Sequence, residues 1–352
     1  MDISFSDILI EDQFSDVGSR DIDVDVSSRL GGLLGTLDLP LFSSNMPQIT
    51  EWKMAVEMTS HGGMGILHRF QDIETNVQEY NKAIGAIRVR SGSRSQNISH
   101  LVGVSIGIKD DGKKRFDALY EEGARTFCID IAHGHCTQMK EMVQWISSKA
   151  KDITIIAGNI ATARAALDFA EWGVDVAKVG IGPGSVCKTR SNAGVGTAQF
   201  TAIKNVYDAI HGIASMCILA DGGIRSGGDF AKAMIYADAV MVGAVLAGTS
   251  ETPGRAFAEP GTDLTNRTWY KMYGGNASGE NKDSSGKSVK FVEGEMLKVP
   301  FKGHAKYLLR EMKEGLQSAM SYSGSRTLSE YKEKVKWRLI SGSSRIESKY
   351  TR

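Results

Sequence analysis

Cys187 has the sequence surroundings of a reactive thiol. It lies in a glycine-rich stretch, GIGPGSVCKTR, where serine, lysine, threonine and arginine are its neighbours. Nearby cations lower the pKa of a thiol and favour the nucleophilic thiolate. Cys128 and Cys217 lie instead in apolar runs, where a cysteine is most often a small packing residue. These patterns make Cys187 the candidate nucleophile, with a structural role as the alternative.

Glycines that end two later apolar runs suit phosphate binding. Asp221, Gly222 and Gly223 end the first of these runs, and Gly243 ends the second. Backbone N–H groups at such turns, together with the N-terminus of the next helix, can hold a phosphate. Asp221 can accept hydrogen bonds from ribose hydroxyls. The alternative is that these glycines only form tight turns and that Asp221 caps one of them.

The segment IDIAHGH contains a carboxylate and two histidines. Asp130 ends an apolar run, and His133 with His135 forms an HxH pattern of the kind found in metal sites. No third ligand stands at a suitable spacing, so metal catalysis is disfavoured. We expect Asp130 and His133 to contact a substrate or a cofactor.

Eight short apolar runs must position these residues. Most successive centres are 22 to 26 residues apart, and the centres lie near Phe42, Ile66, Val104, Ile129, Ile155, Val179, Leu219 and Met241. Apolar strands that alternate with helices are typical of a parallel sheet covered by helices. Eight such units predict an α/β fold, a (β/α)8 TIM barrel, in a single domain over 1–352. A polar stretch predicts a mobile flap at about 276–292, and a C-terminal tail follows at about 338–352.

In this fold the active site forms at the carboxyl ends of the strands. The polar residues that fall there are Asn45, His68, Asp130, His133, Asn159, Cys187 and Asp221. Helices are predicted over Thr50 to Ser60, Arg115 to Glu122, Ala163 to Glu171, Phe230 to Tyr236 and His304 to Ser321, with Thr50 and Thr197 as N-caps. The interval 71–100 has room for a helix and a loop but not for an inserted domain.

The overall composition excludes several classes of protein. Lys and Arg number 42 against 41 Asp and Glu, so bulk charge does not favour a nucleic-acid partner. The longest apolar run, Ala239 to Gly248, is shorter than the about 20 residues that span a bilayer, so no membrane contact is expected. The acidic N-terminus lacks the basic segment of a secretory signal, and the cysteines form no CxxC pair. We therefore expect a cytoplasmic protein.

Six blocks together resemble the family of IMP dehydrogenase and GMP reductase. They are DIAHGH, IIAGNIATARAA, KVGIGPGSVCKTRSNAGVG, LADGGIRSGGDFAKA, VMVGAVLAGTSETPG and VEGEMLKVPFKG. The cysteine-containing loop followed by ADGG is highly specific, and the resemblance runs from about Phe5 to the tail. It implies a purine mononucleotide (GMP or IMP) as substrate, with Cys187 as the nucleophile at purine C2.

The resemblance also implies roles for the residues around the nucleotide and the cofactor. The nucleotide would be bound by Ser185, Gly223 and Gly243 at the 5′-phosphate, by Asp221 at the ribose, and by Gly274, Gly275 and Lys290. The nicotinamide would be flanked by Asp130 and His133, with Arg69 near the cofactor. A monovalent cation such as K⁺ would be bound by the carbonyl oxygens of Gly182, Gly184 and Cys187. Most family members are homotetramers. Two departures from the usual pattern are Ala244 after the phosphate-binding glycine and Lys188 next to the nucleophile.

The family divides into two reactions, and several features favour the reductase. Most dehydrogenases carry a paired CBS module after the second strand, which the interval 71–100 cannot hold. Dehydrogenases activate water with an Arg-Tyr pair on the flap, whereas the flap here contains neither residue. The resemblance therefore implies NADPH-dependent conversion of GMP to IMP and ammonia, in which Thr189 and Glu293 act on the leaving amine. The alternatives are an IMP dehydrogenase without the CBS module, which the tail sequence SGSSRIES also resembles, and a non-catalytic nucleotide-binding barrel.

Overall fold

The computed structural model describes residues 2–91, 98–258, 268–274 and 296–347. The first elements are a 3-10 turn at Phe5–Asp7 and four short segments, which are β1 (Ile8–Ile10), α1 (Arg20–Asp23), β2 (Ser28–Leu30) and β3 (Gly35–Leu37). Strands β2 and β3 form an antiparallel hairpin in which Leu30 lies opposite Gly35.

Eight parallel strands follow and close into a barrel. They are β4 (Leu41–Ser43), β5 (Met64–Leu67), β6 (Val102–Ile106), β7 (Thr126–Asp130), β8 (Thr154–Ile160), β9 (Val176–Val179), β10 (Cys217–Asp221) and β11 (Ala239–Val242). Neighbours in sequence are neighbours in the sheet, and the barrel closes where Val240 of β11 pairs with Leu41 of β4. Each strand contains one of the eight apolar centres, so the predicted (β/α)8 barrel is confirmed.

Most of the helices cover the outside of the barrel. The helices are α2 (Trp52–Ser60), α3 (Ile73–Ser91), α4 (Asp110–Glu121), α5 (Thr137–Lys149), α6 (Ala163–Trp172), α7 (Thr189–Ala193), α8 (Gln199–Ile210) and α9 (Gly227–Ala233), with a 3-10 turn at Ser99–Leu101. The short α7 lies at the rim of the barrel. Helix α3 occupies the interval between β5 and β6, as the sequence predicts. No helix in the described ranges is long and apolar enough to cross a membrane.

The remaining elements include the region around the predicted flap and tail. They are β12 (Phe257–Ala258), β13 (Trp269–Gly274), β14 (Met296–Pro300), α10 (Ala305–Tyr322), α11 (Leu328–Lys334), β15 (Trp337–Leu339) and α12 (Gly342–Glu347). Strands β12, β13 and β14 form a small antiparallel sheet, and β15 pairs with β1. The flap predicted at 276–292 lies outside the described residues, and the predicted tail contains β15 and α12 up to residue 347.

The β2–β3 hairpin fills one end of the barrel. Leu30, Leu34 and Leu37 pack in one apolar cluster with inward-facing barrel residues, among them Val176 and Ala239 at the starts of their strands. Burying apolar surface at this end supplies stability and leaves the opposite, carboxyl end of the strands for polar side chains.

Two predicted helix caps are wrong. Thr50 is buried, and its hydroxyl donates to the carbonyl of Ser44 at 2.7 Å, so Glu51 takes the N-cap position of α2 instead. Ala198, rather than Thr197, takes that position in α8. In the first case a tertiary contact competes successfully for the hydroxyl that local sequence assigns to the cap.

Two helical glycines provide a matched test of packing. A Cβ atom on Gly315 of α10 would lie 2.5 Å from Cα of Gly227 in α9, whereas a Cβ atom on Gly85 of α3 meets nothing within 4 Å. We predict that Gly315→Ala lowers the free energy of unfolding by about 1–3 kcal/mol through overpacking. Gly85→Ala should raise it by about 0.5–1 kcal/mol, because alanine loses less backbone entropy. Denaturant unfolding of the two variants checks both signs, and shifts in the same direction would contradict the close helix contact.

Candidate active site

A buried ion cluster lies at the carboxyl ends of three barrel strands. Lys178 of β9 donates from Nζ to Asp130 Oδ1 of β7 at 2.7 Å and to Asp221 Oδ2 of β10 at 2.9 Å. The lysine side chain is only 3% exposed. Burial by itself lowers the pKa of Lys178, but the charges of Asp130 and Asp221 outweigh it and raise that pKa. The ammonium group is therefore charged at neutral pH.

Asp130 is held ionised by the same cluster. Burial raises the pKa of this carboxyl group, but the charges of Lys178 and Arg69 and hydrogen bonds from Lys178 and Asn45 lower it further than burial raises it. Arg69 also donates from Nη2 to the backbone carbonyl of Asp130 at 3.3 Å. The carboxylate of Asp130 thus lies between a buried ammonium and a half-buried guanidinium, whose positive charges keep it ionised.

Two amide side chains fix the end of β10. Asn159 donates from Nδ2 to Asp221 Oδ2 at 2.9 Å and to the carbonyl of Gly180 at 2.6 Å. Gln199, the first residue of α8, donates from Nε2 to the carbonyl of Val179 at 2.8 Å. At Gly180, where φ is +150°, a Cβ atom would lie 2.1 Å from the carbonyl oxygen of Asp221, so this position requires glycine.

The predicted nucleophile follows β9 on a loop that leads into α7. Cys187 is half-buried, and its Sγ donates to Oγ1 of Thr189 at 3.1 Å. Its backbone N–H donates to the carbonyl of Gly184 at 3.1 Å, which curls the loop into a turn. Arg190 packs across Gly182, where a Cβ atom would lie 2.6 Å from Arg190 Cγ. A thiol and a hydroxyl are thus held side by side at the barrel rim.

The predicted phosphate-binding residues come together beside this loop. A Cβ atom on Gly243 would lie 3.2 Å from both Ser44 Oγ and the Tyr273 hydroxyl. Tyr273 is buried, and burial raises its pKa to about 12 against the opposing effect of a hydrogen bond with Ser185. Gly223 faces Pro183 of the cysteine loop at 3.5 Å from its would-be Cβ. Tyr273 therefore links Ser185 to Gly243, and Gly223 lies against the cysteine loop at Pro183.

Arg69, one of the predicted cofactor residues, lies next to Asp130, and His68 immediately precedes Arg69 in the sequence. Within the described residues, Nε of Arg69 and Nε2 of His68 are buried with no hydrogen-bond partner, although Nε2 lies 3.6 Å from Glu51 Oε1. Buried polar atoms of this kind call for a partner, and an incoming polar ligand can supply it. His133 is exposed at the rim. Gly274 ends β13, whereas Gly275, Lys290 and Glu293 lie outside the described residues.

Three residues in the site were not predicted from the sequence. Lys178 interrupts an apolar strand, VAKVG, and a lone charge in a buried strand is the signal that could have identified it. Tyr273 immediately precedes Gly274, which was predicted to bind the nucleotide. Gln199 is the first residue of α8, and the sequence indicated only the apolar face of that helix. Their partners lie on other strands or loops, so sequence spacing alone does not reveal the contacts.

Comparison with known proteins identifies the family to which this chain belongs. A family model described as IMP dehydrogenase / GMP reductase domain matches residues 2–350. The chain belongs to the IMP dehydrogenase / GMP reductase family. The resemblance inferred from the six sequence blocks is thereby confirmed.

Members of both branches of the family are similar to this chain. A GMP reductase from Bacillus subtilis (strain 168) is 37% identical over 317 residues, covering 89% of this chain and 88% of that protein. An inosine-5′-monophosphate dehydrogenase from Borreliella burgdorferi is 34% identical over 363 residues, covering 89% and 88%. The crystal structure of a GMP reductase variant from Trypanosoma brucei in complex with guanosine 5′-monophosphate matches with a TM-score of 0.88 at 26% identity, covering 99% of this chain and 97% of that one.

The different burial of Cys128, Cys187 and Cys217 predicts an order of reactivity for the three thiols. Burial raises the pKa of Cys128 to about 12 and that of Cys217 to about 11, so both remain protonated at pH 7.5. We predict that iodoacetamide at this pH modifies Cys187 well before either of them. Peptide mass spectrometry over time measures the three rates, and Cys187→Ala identifies the fast site. Equal labelling of Cys128 and Cys187 would contradict the prediction.

Proposed function

We propose that this member of the family is an NADPH-dependent GMP reductase, which converts GMP to IMP and ammonia. The observation that carries the proposal is the composition of the segment Gly275 to Glu293, GNASGENKDSSGKSVKFVE, which contains no arginine and no tyrosine. The dehydrogenase reaction requires an activated water to hydrolyse its cysteine adduct. The cations of this segment are Lys282, Lys287 and Lys290, and an ordinary lysine with a pKa of about 10.4 is protonated at pH 7 and a poor base.

The geometry of the cysteine loop supports the first chemical step. Sγ of Cys187 would attack C2 of the guanine, forming a C–S bond and breaking the bond to the exocyclic amine. The thiol proton passes to that amine, so it leaves as ammonia. The 3.1 Å contact between Sγ and Thr189 Oγ1 gives the proton a hydroxyl relay, and Glu293 would complete it as the general acid. Proton transfer by positioned groups of this kind contributes typically about 10²–10⁴-fold.

The residues on the other side of the ion cluster fit a nicotinamide cofactor. Arg69 and His68 carry buried N–H groups without partners in the described residues, and Asp130 is ionised beside them. Bound NADPH would supply a hydride to C2, which breaks the C–S bond and yields IMP. Asp130, His133 and Arg69 would orient the nicotinamide, and burial at the strand ends would keep water from the reacting carbon.

Three further features are proposed with this function. The carbonyl groups of Gly182, Gly184 and Cys187 belong to the cysteine loop, in which the Cys187 N–H bonds back to Gly184, and they would bind a monovalent cation such as K⁺, as the family resemblance implies. A bound cation would stabilise the loop that presents the thiol. We also propose a homotetramer, as implied by the family resemblance, and a cytoplasmic location, as expected from the acidic N-terminus and the cysteines that form no CxxC pair.

An IMP dehydrogenase without the CBS module is the second candidate function. It is favoured by the comparable identity to dehydrogenases, at 34% for the Borreliella burgdorferi protein. The interval between β5 and β6 holds α3, and dehydrogenases without the regulatory module would share that arrangement.

Product analysis tests the proposed function directly. We predict that the protein with GMP and NADPH forms IMP, ammonia and NADP⁺, with a fall in absorbance at 340 nm. IMP with NAD⁺ should form no XMP at a comparable rate, because the segment at 275–293 offers no Arg-Tyr pair to activate water. NADH in place of NADPH is the control for cofactor preference. Formation of XMP as fast as IMP would overturn the assignment in favour of the dehydrogenase.

The covalent mechanism predicts different outcomes for two neighbouring side chains. Cys187→Ala should bind GMP with nearly unchanged affinity but abolish turnover. Thr189→Val should lower kcat by about 10²-fold or more, while Thr189→Ser, which keeps the hydroxyl, should retain most of it. Calorimetric GMP binding and initial rates separate the two effects. Substantial turnover by Cys187→Ala would contradict a covalent intermediate.

A further inference from the structure

The ammonium group of Lys178 lies between two parts of the candidate site. In the proposed function the nucleotide binds at Asp221 and the cofactor binds at Asp130. Lys178 donates from a single nitrogen atom to both carboxylates, at 2.9 and 2.7 Å. The three side chains arise from three different strands, β10, β7 and β9, so the contact is made only when these strands are assembled in register.

We propose that Lys178 is a positioning residue that couples nucleotide binding to cofactor binding. The inference rests on the proposed function, because it needs a nucleotide at Asp221 and a cofactor at Asp130. A ligand that orders either carboxylate also orders the shared ammonium, and through it the other carboxylate. The second ligand then binds to a site that is already ordered, which gives positive coupling.

The chemistry of the cluster explains why a lysine occupies this position. An apolar residue of similar volume can replace a buried ion pair at little cost in stability, so stability by itself does not require the charge. Two carboxylates that face each other without a cation cannot both ionise easily, and one of them retains a proton. Lys178 donates to both carboxylates and holds them at a fixed separation.

Arg69 is a second cation beside Asp130, but its Nη2 donates to the backbone carbonyl of that residue rather than to the carboxylate. Other titratable side chains that the structure describes near the cluster include Cys128 and Tyr273. Burial raises the pKa of Cys128 and of Tyr273 to about 12, so neither changes charge between pH 5 and 9. A new ionisation in this range after removal of Lys178 therefore does not arise from Cys128 or Tyr273, and we assign it to the two carboxyl groups.

The test measures ligand coupling without turnover. GMP affinity is determined by calorimetry with and without saturating NADP⁺, the oxidised cofactor, in the wild type and in Lys178→Met. We expect NADP⁺ to tighten GMP binding at least about fivefold in the wild type. In Lys178→Met the factor should fall below about twofold, and in Lys178→Arg, which keeps the charge, it should be largely retained.

The pH profile of kcat/KM gives a second readout. Lys178→Met should move its acidic limb upward by about one pH unit or more, because one carboxyl group takes up a proton. Lys271→Met is the matched control: Lys271 is also buried, but its Nζ donates to the carbonyls of Thr249 and Thr252. It should lower stability without changing the coupling factor or the acidic limb. If Lys178→Met does not fold, Lys178→Gln takes its place in both measurements.

The outcomes separate the coupling from the function on which it rests. If the Lys178→Met variant keeps both the wild-type coupling factor and the wild-type acidic limb, the positioning role is wrong. The proposed reductase function is not affected by that result. If the wild type instead turns over IMP with NAD⁺, the proposed function fails, and the same titration with IMP and NADH still decides the role of Lys178.

Discussion

The site depends on burying a charge that must be neutralised by residues from other strands. An unpaired ammonium in a barrel interior is strongly unfavourable, so Lys178 requires both Asp130 and Asp221 within hydrogen-bonding distance. That requirement fixes the register of β7, β9 and β10 relative to one another. A slip of one residue in any of these strands would direct the charged side chain toward the opposite face of the sheet. The ion cluster therefore specifies register at the place where ligands are expected to bind.

The cysteine loop takes its position from the same strand ends. Asn159 and Gln199 bond to the backbone at Gly180 and Val179, where the loop leaves β9. The absence of a side chain at Gly180 allows this backbone to lie against the end of β10. The flexible-looking glycine-rich sequence is thus anchored at its first residue, and Arg190 packs across it further on. A reactive thiol benefits from such anchoring because small displacements of a reacting group cost large factors in rate.

The barrel strands and the loops of the candidate site could be predicted from the sequence, because short continuous segments of sequence indicate them. The eight apolar runs are continuous and regularly spaced, and each corresponds to a barrel strand. The cysteine loop and the phosphate glycines follow from motifs within single segments. The role of Lys178 could not be predicted in this way, because its partners stand 48 and 43 residues away in sequence. The predicted cap at Thr50 failed for a related reason, since a hydrogen bond to the carbonyl of Ser44 outweighed the local preference.

The β2–β3 hairpin determines from which end of the barrel ligands can reach the site. Leu30, Leu34 and Leu37 fill that mouth with apolar side chains, so small molecules have no polar route through it. Ligands are therefore expected at the opposite mouth, among the polar strand ends. Sites for two ligands at one mouth must lie side by side, so a single side chain between them, such as Lys178, can contact residues of both.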